Sequence, residues 1–124
     1  MFCIAKLIEM LTIQERSLAS VRAELPRVIH KSHVIRCPWT AKGALMRHLV
    51  ETHPAQNLEL IDGVKICQQY DDSWVLVLPD ASEPLVHLYA NSNDRDWVDE
   101  TLRNYRARVQ AFVEREQEQV VAEV

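Results

Sequence analysis

Three runs of strand-forming residues follow one another between positions 58 and 91, and the spaces between them are too short to hold a helix. Residues 58–66 form the first run, broken or bent at Asp62-Gly63. Residues 74–78 (Trp74, Val75, Leu76, Val77, Leu78) are continuously apolar, and residues 85–91 form the third. A turn cluster, Asp71-Asp72-Ser73, separates the first two, and the segment Pro79-Asp80-Ala81-Ser82-Glu83-Pro84 joins the last two. Parallel neighbours need a crossover of about a dozen residues or more, so these strands are expected to pair antiparallel.

The flanking sequence supplies helices for one face of such a sheet. Residues 28–36 are rich in β-branched side chains and read as a further strand, stopped by Cys37-Pro38. Thr40 is positioned to cap a helix over 41–52 with the stripe Leu45, Met46, Leu49 and Val50, ended by Pro54. From Asp94 a long helix is expected, because Val98, Leu102, Tyr105, Val109 and Phe112 recur at spacings of three and four. Acidic residues gather at its start and Arg103, Arg106 and Arg108 lie further along, in keeping with the helix dipole. The charged tail after Glu114 is expected to fray. Upstream, residues 2–11 carry an apolar helical stripe (Ile4, Leu7, Ile8, Leu11), and Ser17 caps a short helix ended by Pro26. The first stripe suits either a helix docked on the core or a chain that begins partway through a larger structure. The expected fold is α+β and two-layered: a mostly antiparallel four-stranded sheet with helices on one face, in the order β-α-β-β-β-α after an N-terminal helical segment. The expected division is a helical segment over 1–26, one domain over 27–118 and a frayed tail over 119–124.

Composition excludes several functions. A formal charge of −4 spread over both signs offers no basic footprint for nucleic acid. With Gly43 and Gly63 as its only glycines, the chain cannot build a glycine-rich phosphate cradle. The cysteines, Cys3, Cys37 and Cys67, lack paired spacing and read as reduced thiols of a cytoplasmic protein, and no apolar stretch reaches transmembrane length. The histidines are His30, His33, His48, His53 and His87; none has metal-ligand spacing, and His30 and His33 fall on opposite faces of a strand. Cys37 with His33 is a nominal nucleophile pair, but a small buried cysteine is the simpler reading.

The 79–84 loop is the strongest candidate for function, because prolines fix its backbone at both ends around small and acidic residues. Taken together, Asp62-Gly63-Val64-Lys65-Ile66, Trp74-Val75-Leu76, the 79–84 loop and Leu88-Tyr89 resemble the C-terminal domain of the α-D-phosphohexomutases. That family includes phosphomannomutase, phosphoglucomutase and phosphoglucosamine mutase. Its loop reads Arg-Pro-Ser-Gly/Asn-Thr-Glu-Pro. Residues 7–25 resemble the end of the preceding mutase domain. Cys37-Pro38-Trp39, Lys42-Gly43 and Met46-Arg47 resemble versions fused to a sugar-nucleotide nucleotidyltransferase of the mannose-1-phosphate guanylyltransferase type.

The resemblance implies a domain that closes over a hexose phosphate and holds its phosphate at the loop, here through Ala81, Ser82 and Glu83. It places the phosphoserine, the Mg²⁺ loop and the sugar-binding loop in other domains, so no catalytic residue, metal or cofactor is expected in this chain. The loop also departs from the family pattern. Leu78 stands at the Arg position, Asp80 at the first Ser, Ala81 at Gly/Asn and Ser82 at Thr. No Lys or Arg lies between Lys65 and Arg95, so only Arg36, Lys42 or Arg47 could bring charge in space. The loop is therefore expected to keep its shape with weak phosphate affinity. Two functions follow: the substrate-closing domain of a sugar-phosphate mutase, or a degenerate mutase-type domain with a structural, assembly or regulatory role beside a nucleotidyltransferase. An unrelated small binding module is the third reading. The implied partners are the remaining domains of the same enzyme and, through the apolar N-terminal helix, a second copy of the chain.

Overall fold

The computed structural model describes residues 1–123. Its elements in chain order are α1 (Phe2–Ile13), α2 (Leu18–Glu24), β1 (Ile29–Arg36), α3 (Trp39–Thr52), a single 3₁₀ turn (Ala55–Asn57), β2 (Leu58–Leu60), β3 (Val64–Cys67), β4 (Trp74–Pro79), β5 (Leu85–Ser92) and α4 (Arg95–Ala122). The strands form one sheet in the order β1-β5-β4-β3-β2, and every neighbouring pair is antiparallel. The two-layer α+β architecture with helices on one face is as expected, but the sheet has five strands rather than four. Of the two readings of the 58–66 run, the structure shows the break: it is a hairpin of β2 and β3. Asp62 takes a left-handed backbone (φ 60°), which aspartate tolerates better than most residues, and the chain reverses there.

Alternation along the strands produces the core. In β5, Val86, Leu88, Ala90 and Ser92 are buried, while the residues between them are half-buried on the other face. Val75 and Val77 of β4, Val64 and Ile66 of β3 and Ile35 of β1 join the inner face. Ala41, Leu45 and Leu49 of α3 and Val98, Leu102, Val109 and Val113 of α4 pack onto it. Gly63 sits where the hairpin passes β4, and a Cβ there would lie 2.5 Å from the Val77 carbonyl oxygen.

The helix ends follow local chemistry, with one departure. Ser17 caps α2, accepting from the Ser20 amide at 3.1 Å. Asp94 caps α4 through the amides of Asp96 and Trp97, and the buried Ser73–Ser92 hydroxyl pair at 2.7 Å ties the 68–73 turn to that corner. Thr40, in contrast, is not the cap of α3. The helix already begins at Trp39, because Pro38 delivers the chain in an extended conformation and no side-chain cap is formed. The tail after Glu114, expected to fray, is drawn as helix, and α4 continues to Ala122. It contains no Gly or Pro, Val113 anchors it in the core, and its tail is rich in good helix formers. At about 1.5 Å per residue, α4 is about 42 Å long and outruns the sheet. Helix α1 does not dock on the core: none of its residues is buried, and Phe2, Ile4, Ile8 and Ile13 are exposed.

The two glycines predict opposite responses. Gly63→Ala is expected to lower the unfolding free energy by about 1–3 kcal/mol through overpacking against β4. Gly43→Ala, in open space on α3, is expected to raise it by about 0.5–1 kcal/mol. Denaturant midpoints of the two variants check both signs, and a neutral Gly63→Ala would contradict the close approach.

Candidate functional site

The 79–84 loop joins the two strands β4 and β5, and its backbone is held from beneath. Asp80 donates its amide to the Leu85 carbonyl at 3.0 Å, the last rung of the β4–β5 ladder. Leu85 donates to the Glu83 carbonyl at 2.8 Å, and the Pro84 carbonyl accepts from the Cys37 amide at 2.9 Å. The central support is Lys42 on α3, which is only 7% exposed. Its Nζ donates to the Asp80 carbonyl at 2.6 Å and also to the Glu83 carbonyl. The same ammonium lies 3.7 Å from the centre of the Trp39 ring, which adds a cation–π contact. A buried ammonium is tolerated only where its protons are satisfied; the loop carbonyls take two of them and the Trp39 ring lies over the charge.

With carbonyls drawn toward Lys42, two amides of the loop are left to meet an anion, and Asp80 provides one. The amides of Ser82 and Glu83 both donate to Asp80 Oδ1 at 2.8 Å. Asp80 Oδ2 lies 2.8 Å from Nε2 of His87, which sits opposite Leu78 in the β4–β5 register. Asp80 and His87 are each about three-quarters buried, with 25% of each side chain exposed. The His87 hydrogen bond first, and then the two amides, hold the Asp80 carboxyl down at about 2, below its ordinary value of 3.8.

Of the residues expected to bind phosphate, Ser82 and Glu83 present their amides inward to Asp80, while Ala81 and the side chains of Ser82 and Glu83 are exposed. Of the three basic residues, Lys42 does reach the loop, but its ammonium is engaged by carbonyls. Arg36 pairs in register with Leu85 and lines, with Trp39, Glu83 and Pro84, an open groove of about 970 Å³ beside the loop. Arg47 lines a different depression, with Leu60 and Asp62. His87 could have been anticipated by counting residues across the hairpin. The sequence offered Lys42 only as one of three basic residues that could approach, and nothing in it singled out Lys42, which lies 38 positions from Asp80.

The other candidate groups have structural roles. Cys37 is fully buried, and burial raises its thiol pKa against the pull of Lys42, so it is no activated nucleophile. His53 bridges the Leu49 carbonyl and the Tyr105 hydroxyl, at 2.8 Å each, and His48 stacks on Phe112. His30, on the open face of the sheet, stacks on Tyr89 at 5.7 Å and leans on Trp74 at 6.0 Å. Among the described residues no helix is long and apolar enough to cross a membrane.

No protein-family model matches the chain. Curated relatives do. The chain is 32% identical over 100 residues to a probable phosphoglucosamine mutase of Methanosarcina barkeri, covering 80% of the chain and 22% of that protein. It is 30% identical over 95 residues to one of Methanopyrus kandleri, covering 74% and 20%. A probable phosphoglucosamine mutase of Pyrococcus furiosus matches at 25% over 103 residues, covering 79% and 22%. The chain thus spans about a fifth of the length of the curated relatives it matches. Over most of its own length it is similar to phosphoglucosamine mutases, which agrees with the phosphohexomutase resemblance of its loop and strands.

Two outcomes follow from the loop's geometry. Lys42→Met retains the stem but removes the charge-assisted bonds. It is expected to lower the unfolding free energy by about 1.5–3 kcal/mol and to speed amide exchange at 80–85 more than in β3. Uniform exchange would show that Lys42 does not hold the loop. Because native Asp80 binds its proton less tightly than the unfolded chain does, acid favours unfolding. The stabilisation is complete above about pH 4 and is lost as pH falls toward about 2. Urea unfolding of the wild type and of Asp80→Asn should therefore differ at neutral pH and converge as pH approaches about 2. A difference that does not change with pH would contradict this.

Proposed function

We propose that this chain is the substrate-closing C-terminal domain of a phosphohexomutase-like protein, which transfers a phosphoryl group within a hexose phosphate and whose chemistry lies in other domains. The observation that carries this reading is the 79–84 loop: a proline-bracketed turn at the end of a sheet, its carbonyls tied to Lys42 and the amides of Ser82 and Glu83 gathered on an oxyanion. Its setting is a chain that aligns with probable phosphoglucosamine mutases over 74–80% of its length. Closing such a domain carries the loop onto the sugar's phosphate and excludes water from the reacting centre. In this reading Ala81, Ser82 and Glu83 form the contact, and hexose phosphate alone binds weakly. The apolar residues of α1 then face the rest of the same enzyme, or a second copy of the chain. Mg²⁺ belongs with the transfer site. Among the described residues no three His, Cys, Asp or Glu side chains gather to hold a metal.

A second reading is favoured by one observation, the Asp80 carboxylate seated on the loop amides. In it the domain is a degenerate mutase-type module kept for structure, assembly or regulation, as in a fusion with a sugar-nucleotide nucleotidyltransferase.

A chimera separates the two. Residues 27–118 replace the aligned segment of the Methanopyrus kandleri protein, and phosphoglucosamine mutase activity is compared with that of the same protein lacking the segment. The closing-domain reading expects activity clearly above the deletion. A folded chimera no more active than the deletion rejects it in favour of the second reading.

A further inference from the structure

We infer that Asp80 is a built-in occupant of the loop's oxyanion cradle, and that this one carboxylate, rather than a collapsed loop, is what gives the chain the weak phosphate affinity expected of it. The inference rests on the mutase-type reading of the loop and adds to it the residue that governs the site's specificity.

Three donors converge on Asp80: the amides of Ser82 and Glu83 on Oδ1, and His87 Nε2 on Oδ2, each at 2.8 Å. Short bonds from two neighbouring amides and an imidazole are the arrangement a phosphate oxygen would require. The donors are therefore present and correctly aimed, but the protein's own anion holds them. An incoming phosphate must displace the carboxylate as well as overcome its charge.

The loop is also anchored by bonds that do not involve that carboxylate. Lys42 bonds the backbone carbonyls of Asp80 and Glu83, not the Asp80 side chain. The Asp80 amide is fixed to Leu85 and the Pro84 carbonyl to Cys37, again through backbone atoms. Removing the Asp80 side chain therefore empties the cradle and leaves its walls standing. Occupancy and simple repulsion make different predictions for Asn. Its side-chain oxygen can still accept from both amides, so Asp80→Asn removes the charge but keeps the plug.

Amide-resolved NMR titration of the full chain with inorganic phosphate and with glucosamine 6-phosphate tests this, at a pH where phosphate is largely dianionic. The wild type and Asp80→Asn are expected to bind weakly. Asp80→Ala is expected to bind about tenfold tighter or more, with shifts centred on Ser82, Glu83 and His87. Asp80→Ser serves if the alanine variant does not fold, as judged from the resonances of β5 and α3. Binding of inorganic phosphate reports the cradle itself, and a further gain with glucosamine 6-phosphate reports contacts to the sugar. A folded Asp80→Ala or Asp80→Ser variant no tighter than wild type overturns the inference. So does Asp80→Asn binding as tightly as Asp80→Ala, which would reduce Asp80 to a repelling charge. An inactive chimera together with a tight-binding Asp80→Ala would reject the closing-domain function and leave this inference standing; an active chimera with no gain at Asp80→Ala does the reverse.

Discussion

The ammonium of Lys42 is almost wholly withdrawn from water, and a buried charge survives only if its protons find acceptors. That requirement organises the 79–84 end of the molecule. Lys42 projects from the first turns of α3, whose Leu45 and Leu49 are locked in the core, so it cannot follow a moving loop. The loop must come to it, and the carbonyls of Asp80 and Glu83 do. A short turn cannot direct all of its carbonyls one way without leaving amides elsewhere. Here the amides of Ser82 and Glu83 become donors in need of an anion. A helix–loop contact thereby creates an anion cradle in a chain with too few glycines for a glycine-rich one.

The sheet serves the cradle in two ways. Its antiparallel register places His87 directly across from Leu78, next to the point where Asp80 leaves β4, so the imidazole can close on the carboxylate. Its inner face, sealed by α3 and α4, gives the loop a rigid base. Its outer face is lined by Trp74, Leu76, Tyr89 and His30, half-buried or exposed, with stacked rings running from His87 through Tyr89 to His30. The polar pair at Asp80 and His87 lies at the end of this row of rings.

Much of the fold was legible because it rests on local rules. The antiparallel run of β3, β4 and β5, the stripe of α4 and the Ser17 cap are each written within a few residues of where they act. The points that the structure sharpened were also local ones. Asp62-Gly63 reads from the sequence as a break or a bend, and a left-handed aspartate next to a residue with no room for a Cβ makes it a full reversal. Thr40 was given the role of a cap, although Pro38 had already set the helix entry. Beyond Glu114 the charged tail reads as a fraying end, and the structure carries α4 on to Ala122, a helix without Gly or Pro anchored at Val113.

For the site, the sequence by itself determined the loop's position, its proline brackets, its lack of a nearby basic residue and its resemblance to a mutase phosphate loop. These depend on residue identity and on spacing along the chain. It also marked Asp80 as out of place, but only as a charge that a phosphate would dislike. The tertiary structure alone decided that Asp80 turns inward onto the amides of Ser82 and Glu83, and that Lys42 and His87 hold the loop and the carboxylate. The reason is physical. Hydrogen bonds and buried charges are settled by which groups meet in space, and α3, β4 and β5 bring together groups that the chain keeps as far as 41 positions apart.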